Sequence, residues 1–276
     1  MSLPNFLILG TAKSGTSTLA RYLCEHPQVC FSRAHEPNFF AFDRQWARGL
    51  AYYRMLFAHY DGEPRIGEKS WRYACTGHYP HVFDRVRRTL PELKLIYIVR
   101  EPIARGLSMW RELRDAGQDR VARDVATALT SDQLILGSMR YHTQFSRYRS
   151  AYGAENMRLL FFEDFVRDQG ATFDAVTDFL GIDRFQPKQT VHENRSVGQR
   201  SDTRVLEVIR HLAPQRPTRR WAPRPLRAVA RRLLKKPIRT LSLPAAARTR
   251  YLDMVRDECA AILEEGGKPH DFWALH

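Results

Sequence analysis

The first thirty residues constrain the fold more than any other part of the chain. A short apolar run at 6–9 is typical of a buried parallel strand, and residues 14–26 have helical spacing. Between them lies a loop that contains Gly10 and Gly15. Backbone N–H groups of such a loop, together with the positive end of the helix dipole, converge on an anion. The sequence therefore predicts a phosphate-sized anion site close to its start.

The loop differs from the nucleoside-triphosphate loop in the position of its lysine. That loop has the pattern G-x-x-x-x-G-K-[ST], with lysine directly after the second glycine. Here Thr16 and Ser17 occupy those positions, and the lysine comes earlier, at Lys13. Without a cation placed to reach β- and γ-phosphates, the pattern disfavours an ordinary kinase or ATPase. A phosphotransferase with a degenerate loop and a plain glycine turn remain as alternatives.

Length and composition predict one folded unit. The 276 residues, of which 43% are hydrophobic, fit an α/β core with a decorated C-terminal part. We predict a core over 1–203 and, packing on it within a single domain, a basic Pro/Arg-rich helical extension over 204–276. The early apolar run is too short for a signal sequence, and no stretch reaches the roughly 18 apolar residues of a membrane span. The four cysteines form no C-x-x-C pair, which favours reduced thiols and a cytoplasmic location, with a Cys24–Cys30 disulfide as the lesser alternative.

The positive charge is concentrated near the C-terminus. Of the net charge of +14, 13 Lys and Arg residues lie between Arg210 and Arg250 without any Asp or Glu, and the rest of the chain carries about +1. Residues 226–236 predict a short basic amphipathic helix. Such a segment attracts an anionic acceptor or anionic lipid, which predicts peripheral membrane contact through residues 214–244. A non-enzymatic binder of membrane or nucleic acid is an alternative that charge alone supports, and we predict no nucleic-acid partner.

Strand and helix patterns alternate along the chain. Further strands are predicted at 29–31, 65–70 (at a sheet edge), 93–99 and 157–162, and further helices at 46–58, 78–90, 103–115, 120–131, 138–150, 172–180 and 245–265. This alternation predicts the α/β class, in a P-loop-like three-layer fold whose central parallel sheet of about five strands is flanked by helices.

Polar side chains follow several of these strands. Open α/β sheets carry their sites at the carboxyl ends of the strands. Pro37 disfavours helix at Glu36, so an extended loop presents that carboxylate at such an end. The strand at 65–70 is expected to deliver Glu68, Lys69 and Ser70 to the same rim.

An arginine and a serine frame the start of the helix predicted at 103–115. Arg100 ends the preceding strand and carries a guanidinium fork that matches phosphate oxygens. Ser108 lies eight residues later and offers a hydroxyl donor. The alternative for Arg100 is a surface ion pair with Glu101 or Asp84. Together with the early loop, the pair predicts a second phosphate contact.

These motifs resemble the sulfotransferases that use 3′-phosphoadenosine 5′-phosphosulfate (PAPS). The early loop resembles the family's 5′-phosphosulfate loop, and the Arg100–Ser108 pair its 3′-phosphate signature. The sequence further resembles the Golgi heparan-sulfate sulfotransferases and their bacterial relatives in these segments: Lys13–Thr16, Glu36–Phe40, Glu68–Ser70, Tyr141–Phe145, Leu159-Phe161-Glu163-Phe165 and Phe179–Gly181. The resemblance covers about residues 5–185, and the family's late glycine-rich cofactor loop is matched only loosely, by 194–200.

The resemblance implies transfer of a sulfuryl group from PAPS to a hydroxyl or amine. The expected acceptor is a carbohydrate or a glycolipid, with another lipid or a small molecule as alternatives. Lys13 would stabilise the leaving oxygen, and Glu36 would act as the base, with His35 as its rival. The implied cofactor-binding residues are Lys13, Ser14, Gly15, Thr16, Ser17, Thr18, Arg100, Ser108 and Arg200. Glu36, His35, Lys69 and Arg72 are expected on the acceptor side. No metal is required, because the protein supplies the positive charge.

Overall fold

Five parallel strands form the centre of the fold in the computed structural model, which describes residues 3–118, 120–186, 200–202, 235–237 and 243–275. The strands are β1 (Phe6–Ile8), β2 (Val29–Phe31), β3 (Arg65–Lys69), β4 (Lys94–Val99) and β5 (Met157–Phe161), in the order β2-β3-β1-β4-β5. From β1 the chain crosses to β2 at one edge of the sheet, and from β4 it crosses to β5 at the opposite edge. The crevice between β1 and β4 is therefore the switch point at which open α/β sheets bind ligands.

Helices connect the strands on both faces of the sheet. They are α1 (Thr16–Glu25), α2 (Asp43–Trp46), α3 (Gly49–Met55), α4 (Val82–Thr89), α5 (Pro102–Asp115), α6 (Val125–Ser131), α7 (Gln133–Gly137), α8 (Tyr141–Tyr152), α9 (Phe162–Arg167), α10 (Gln169–Leu180) and α11 (Ala245–Glu265). Short 3₁₀ turns lie at Trp71–Tyr73 and Ala154–Asn156, and β6 (Arg200–Asp202) pairs antiparallel with β7 (Lys235–Pro237).

Two apolar cores cover the two faces of the sheet. Because side chains alternate along a strand, Leu95 and Tyr97 of β4 face one core, while Ile96 and Ile98 face the other. All four side chains are fully buried. A sheet packed on both faces by helices has three layers, so the α/β fold expected from the sequence is confirmed.

Several predicted boundaries were wrong. The single helix expected at 46–58 is replaced by α2 and α3, because Gly49, the first residue of α3, adopts a left-handed φ of 78°. β3 lies between β2 and β1 rather than at an edge. The helix expected at 138–150 corresponds to α8, while α7 precedes it over residues for which no element was predicted. Residues 200–202 form β6 and residues 235–237 form β7, although the basic helix was expected to extend to residue 236.

The last described segment packs on the sheet domain. Helix α11 contacts α5, α6 and α8, and the Tyr251 hydroxyl donates to the Pro102 carbonyl at 3.3 Å. Trp273 is only 4% exposed and packs against Tyr141 and Phe161. Most of the basic segment 214–244, and with it most of the predicted basic helix, lies outside the described residues. In the described part of the chain, no helix is long and apolar enough to cross a bilayer.

Candidate active site

The loop between β1 and α1 forms the floor of a cavity of about 620 Å³. Two of its residues have left-handed backbone, Lys13 with φ 68° and Gly15 with φ 85°. A Cβ at Gly15 would lie 3.0 Å from the Phe162 ring, so glycine serves both the turn and this close approach. Helix α1 begins directly afterwards and directs its N-terminus at the cavity.

The side chain and the carbonyl of Lys13 have different partners. Its Nζ lies 3.3 Å from Glu112 Oε2 on α5, and about a quarter of the side chain (24%) is exposed. Arg100 Nη1 donates to the Lys13 carbonyl at 2.8 Å, and the guanidinium lies 4.4 Å from the centre of the Phe162 ring. Burial lowers the pKa of Arg100. The loop that follows β1 is thus tied to the end of β4.

The Glu36 carboxylate lies between two cations. Lys69 Nζ is 2.9 Å from Glu36 Oε1, and Arg72 Nη1 is 3.3 Å from Oε2. Lys69 is only 2% exposed and also donates to Ser17 Oγ at 3.2 Å. Lys69 therefore links the Glu36 carboxylate to the first turn of α1. The Glu36 side chain keeps 21% of its surface exposed, which leaves it accessible from the cavity.

Glu68 lies away from the cavity, and its expected place at the rim was wrong. Adjacent strand residues face opposite sides of a sheet, so when Lys69 points to the site Glu68 points into the core. It is fully buried, and the hydroxyls of Tyr53 and Tyr73 donate to its carboxylate. Burial raises the pKa of Glu68 to about 8.

Most of the predicted site residues line this one cavity. These are Lys13, Gly15, Thr16, Ser17, Thr18, His35, Glu36, Arg100 and Ser108. Ser14 does not line it, because its side chain is fully buried and its hydroxyl bonds with that of Thr11. Lys69 and Arg72 contact the Glu36 carboxylate but do not line the cavity. For Arg200 the structure describes only the backbone, in β6.

Sequence reasoning missed six residues of the cavity wall. These are Ala12, Trp71, Phe162 and, on α5, Arg111, Glu112 and Asp115. The three on α5 follow Ser108 at helical intervals of three, four and seven residues, so helix periodicity could have placed them on the same face. Phe162 lies in α9, next to β5, where no sequence motif marks it.

The cavity suits a ligand that carries two anionic groups. The loop supplies backbone donors, hydroxyls and Lys13 at one end, and α5 supplies Ser108 beside Arg100. Glu36 adds a carboxylate that can accept a proton. Among the described residues, no cluster of three or more His, Cys, Asp or Glu side chains could hold a metal ion. The four cysteines, all within the described residues, are free thiols.

Comparison with known proteins identifies the class. The chain belongs to the sulfotransferase domain family, which matches residues 3–211, so the resemblance noted in the sequence is confirmed. The membrane-associated sulfotransferase kil1 of Dictyostelium discoideum is 34% identical over 113 residues, which cover 40% of this chain and 23% of that protein. The heparan sulfate glucosamine 3-O-sulfotransferase 3B1 of Homo sapiens is 28% identical over 208 residues, which cover 71% and 50%. The chain therefore spans half or less of the length of these relatives.

A solved structure shows the same fold. The sulfotransferase from Alicyclobacillus acidocaldarius superposes with a TM-score of 0.70 over 99% of both chains. The two sequences are 20% identical, so this likeness concerns the fold alone.

Proposed function

We propose that the chain transfers the sulfuryl group of PAPS to a hydroxyl or amine acceptor. The observation that carries this proposal is that the loop with Lys13, the Arg100–Ser108 pair and Glu36 line one cavity at the carboxyl ends of β1 and β4. The loop would bind the 5′-phosphosulfate, and Arg100 with Ser108 would bind the 3′-phosphate. Membership of the sulfotransferase domain family supports the reaction class.

The reaction would be an in-line displacement at sulfur. The acceptor oxygen or nitrogen forms a bond to sulfur while the bond from sulfur to the bridging phosphate oxygen breaks. The acceptor's proton passes to Glu36, and the electron pair stays on the leaving 3′-phosphoadenosine 5′-phosphate (PAP). Lys13 would leave Glu112 and stabilise the charge that develops on the bridging oxygen. Lys69 and Arg72 would hold the Glu36 carboxylate toward the acceptor.

We infer a carbohydrate as the acceptor class. The inference rests on relatives named as heparan sulfate glucosamine 3-O-sulfotransferases, which match 71% of this chain. A transfer assay with radiolabelled PAPS against panels of glycans, lipids and phenols would test it. Labelled product from lipids or phenols alone would exclude the carbohydrate while leaving sulfuryl transfer itself in place.

Substitution of Lys13 and Glu36 tests the mechanism. Lys13→Ala and Glu36→Gln are each expected to reduce the transfer rate by at least about 100-fold, because one removes charge stabilisation and the other the base. Lys268→Ala and Glu265→Gln are matched controls, since both residues form ion pairs outside the cavity. Turnover close to the wild-type rate in both site variants would contradict these roles.

Calorimetry tests the nucleotide itself. The wild-type protein is expected to bind PAP without added metal and to bind ATP–Mg²⁺ far more weakly. Tight binding of ATP–Mg²⁺ with no uptake of PAP would instead indicate a phosphotransferase.

A further inference from the structure

The guanidinium group of Arg105 lies in the protein interior and contacts the loop between β1 and α1. Arg105 lies on α5, and its side chain is fully buried. In the described part of the chain its hydrogen-bond partners are neutral: the Ala12 carbonyl at 3.2 Å, the Ser138 hydroxyl, and the sulfur atoms of Met139 at 3.1 Å and Met109 at 4.0 Å. The Tyr141 ring lies 5.5 Å from its Cζ. A cation is costly to bury, so this position calls for an explanation.

Two arginines hold consecutive carbonyls of the loop. Arg105 donates to the Ala12 carbonyl, and Arg100 donates to the Lys13 carbonyl at 2.8 Å. In a planar trans peptide the C=O and N–H groups point in opposite directions. Because Arg105 binds the Ala12 carbonyl, the Lys13 N–H of the same peptide points away from Arg105. The hydrogen bond therefore fixes the plane of the Ala12–Lys13 peptide.

The residue that follows this peptide has an unfavourable backbone. Lys13 adopts φ 68°, a conformation that residues with a Cβ rarely take and that persists where the surroundings impose it. The carbonyls on both sides of its Cα are the two that the arginines hold. The arrangement therefore fixes the direction in which the Lys13 side chain leaves the loop.

Tyr141 connects the two arginines. Its ring lies beside Arg105, and its hydroxyl donates to the Arg100 carbonyl at 2.9 Å. The same buried cluster of Arg105, Ser138, Met139 and Tyr141 thus contacts the loop and the end of β4.

We propose that Arg105 is a positioning residue for Lys13. It holds the Ala12–Lys13 peptide so that the lysine keeps its left-handed backbone and its ammonium lies beside the bridging oxygen. The proposal rests on the proposed function for the role of Lys13. It assigns to Arg105 no contact with either substrate.

Arg105→Lys is the first test. It keeps the charge, but one ammonium cannot reproduce the planar fork that reaches four acceptors. We expect kcat to fall between about 10- and 100-fold while the KM for PAPS changes less, since misplacement of a catalytic group by 1 Å has effects of this size. The matched control is Arg114→Lys on the same helix, whose Nη1 donates to the Val121 carbonyl at 3.3 Å outside the cavity. The control is expected to stay within about threefold of wild type.

A double-mutant cycle separates positioning from a general structural role. In a Lys13→Ala background there is no ammonium left to position, so Arg105→Lys is expected to reduce kcat by less than about threefold further. A loss of equal size in both backgrounds would overturn the proposal. Full activity of the single variant would overturn it as well.

Amide hydrogen exchange provides a readout that requires no substrate. The Thr11 N–H donates to the Ile98 carbonyl and the Ser14 N–H to the Thr11 carbonyl, so these amides report the order of the loop. Arg105→Lys is expected to speed their exchange at least about tenfold in a folded protein, with the amides of β4 unchanged. If that variant does not fold, Ser138→Ala removes a single acceptor and is expected to act in the same direction. Unchanged loop exchange would refute the proposal, whereas failure of the wild type to bind PAP would refute only the proposed function.

Discussion

The Glu68 carboxyl group is fully buried between the hydroxyls of Tyr53 and Tyr73. Burial raises its pKa from 4.5 to about 8, and the nearby Glu36 adds to the shift. Between these two values the folded protein keeps a proton that the unfolded chain releases. The stabilisation is therefore complete below about pH 4.5 and is lost as the pH rises toward 8.

Glu68→Gln is predicted to remove this pH dependence. The amide is neutral at every pH and can still bond with a tyrosine hydroxyl. For the wild type we expect the free energy of unfolding to fall by up to about 1.4 kcal/mol per pH unit from this group. Urea unfolding at pH 5, 6.5 and 8 would measure the slope, with Glu92→Gln on the surface as a control. A slope that is the same in Glu68→Gln and wild type would contradict the prediction.

Residues differ in how far the sequence reveals their roles. Lys13, Glu36 and Arg100 follow predicted strands, which indicated one rim, while the family resemblance suggested their roles; all three line the cavity. Arg105 could not be found in this way, because its partners Ala12 and Ser138 are distant in sequence and meet it only in the folded chain. The sequence also could not show that Lys69 is buried against Glu36, since that depends on which face of β3 packs on the core.

At the scale of elements, apolar runs and chain-breaking residues predicted most of the fold. β2 and α11 agree with their predicted bounds, and Gly181 ends α10 in the expected left-handed conformation. The region at 43–58 was predicted less well, because its aromatic periodicity continues across Gly49 while its backbone does not. Periodicity reports which side chains are buried, whereas a helix also ends where a single residue leaves helical geometry.

Helix α5 carries Arg105 and Ser108, and its first turn is held by Glu101. The Glu101 carboxylate accepts from the N–H groups of Ile103 and Ala104, and its own N–H donates to Glu163 Oε1 at 2.8 Å. Pro102 occupies the first helical position, where a missing N–H costs little. The cap therefore fixes the direction in which α5 leaves β4.

Glu101→Ala is predicted to affect both stability and nucleotide binding. Loss of the cap should lower the free energy of unfolding by about 1 kcal/mol, and a displaced first turn should weaken PAP binding. Asp168→Ala is the matched control, because Asp168 caps α10 through the Ala171 N–H outside the cavity. It should cost similar stability, measured by urea unfolding, and leave the calorimetric Kd for PAP unchanged. Equal effects of both variants on PAP binding would show that the affinity for PAP does not depend on the direction of α5.

At the scale of the whole molecule, the C-terminal segment supports the helix that carries the site. A Cβ at Gly106 would lie 2.9 Å from Tyr251 Oη, so α11 approaches α5 closely at this point. Thr143 on α8 donates through its N–H to Glu258 of α11 at 2.9 Å. Residues far apart in the chain therefore hold α11 against both α5 and α8.

Trp273 also packs in this region. The volume of its ring and its Nε1–H group each lead to a separate prediction. The side chain is 4% exposed, and its Nε1 has no hydrogen-bond partner among the described residues. Trp273→Ala should lower the free energy of unfolding by about 3–5 kcal/mol, because it leaves a cavity between Tyr141 and Phe161. Trp273→Phe keeps most of the ring and removes the unpaired donor, so its cost should stay below about 1.5 kcal/mol.

Guanidinium unfolding of the two variants beside wild type would compare these costs. Phenylalanine fills less volume than tryptophan, which costs stability, but it also removes an unsatisfied N–H, which offsets part of that cost. The stabilities of the two variants should therefore differ by more than ring size alone implies. A phenylalanine variant as unstable as the alanine variant would mean that Nε1 has a partner in solution. PAP affinity gives the functional readout: it should fall with Trp273→Ala, since α11 then loosens behind α5, and persist with Trp273→Phe.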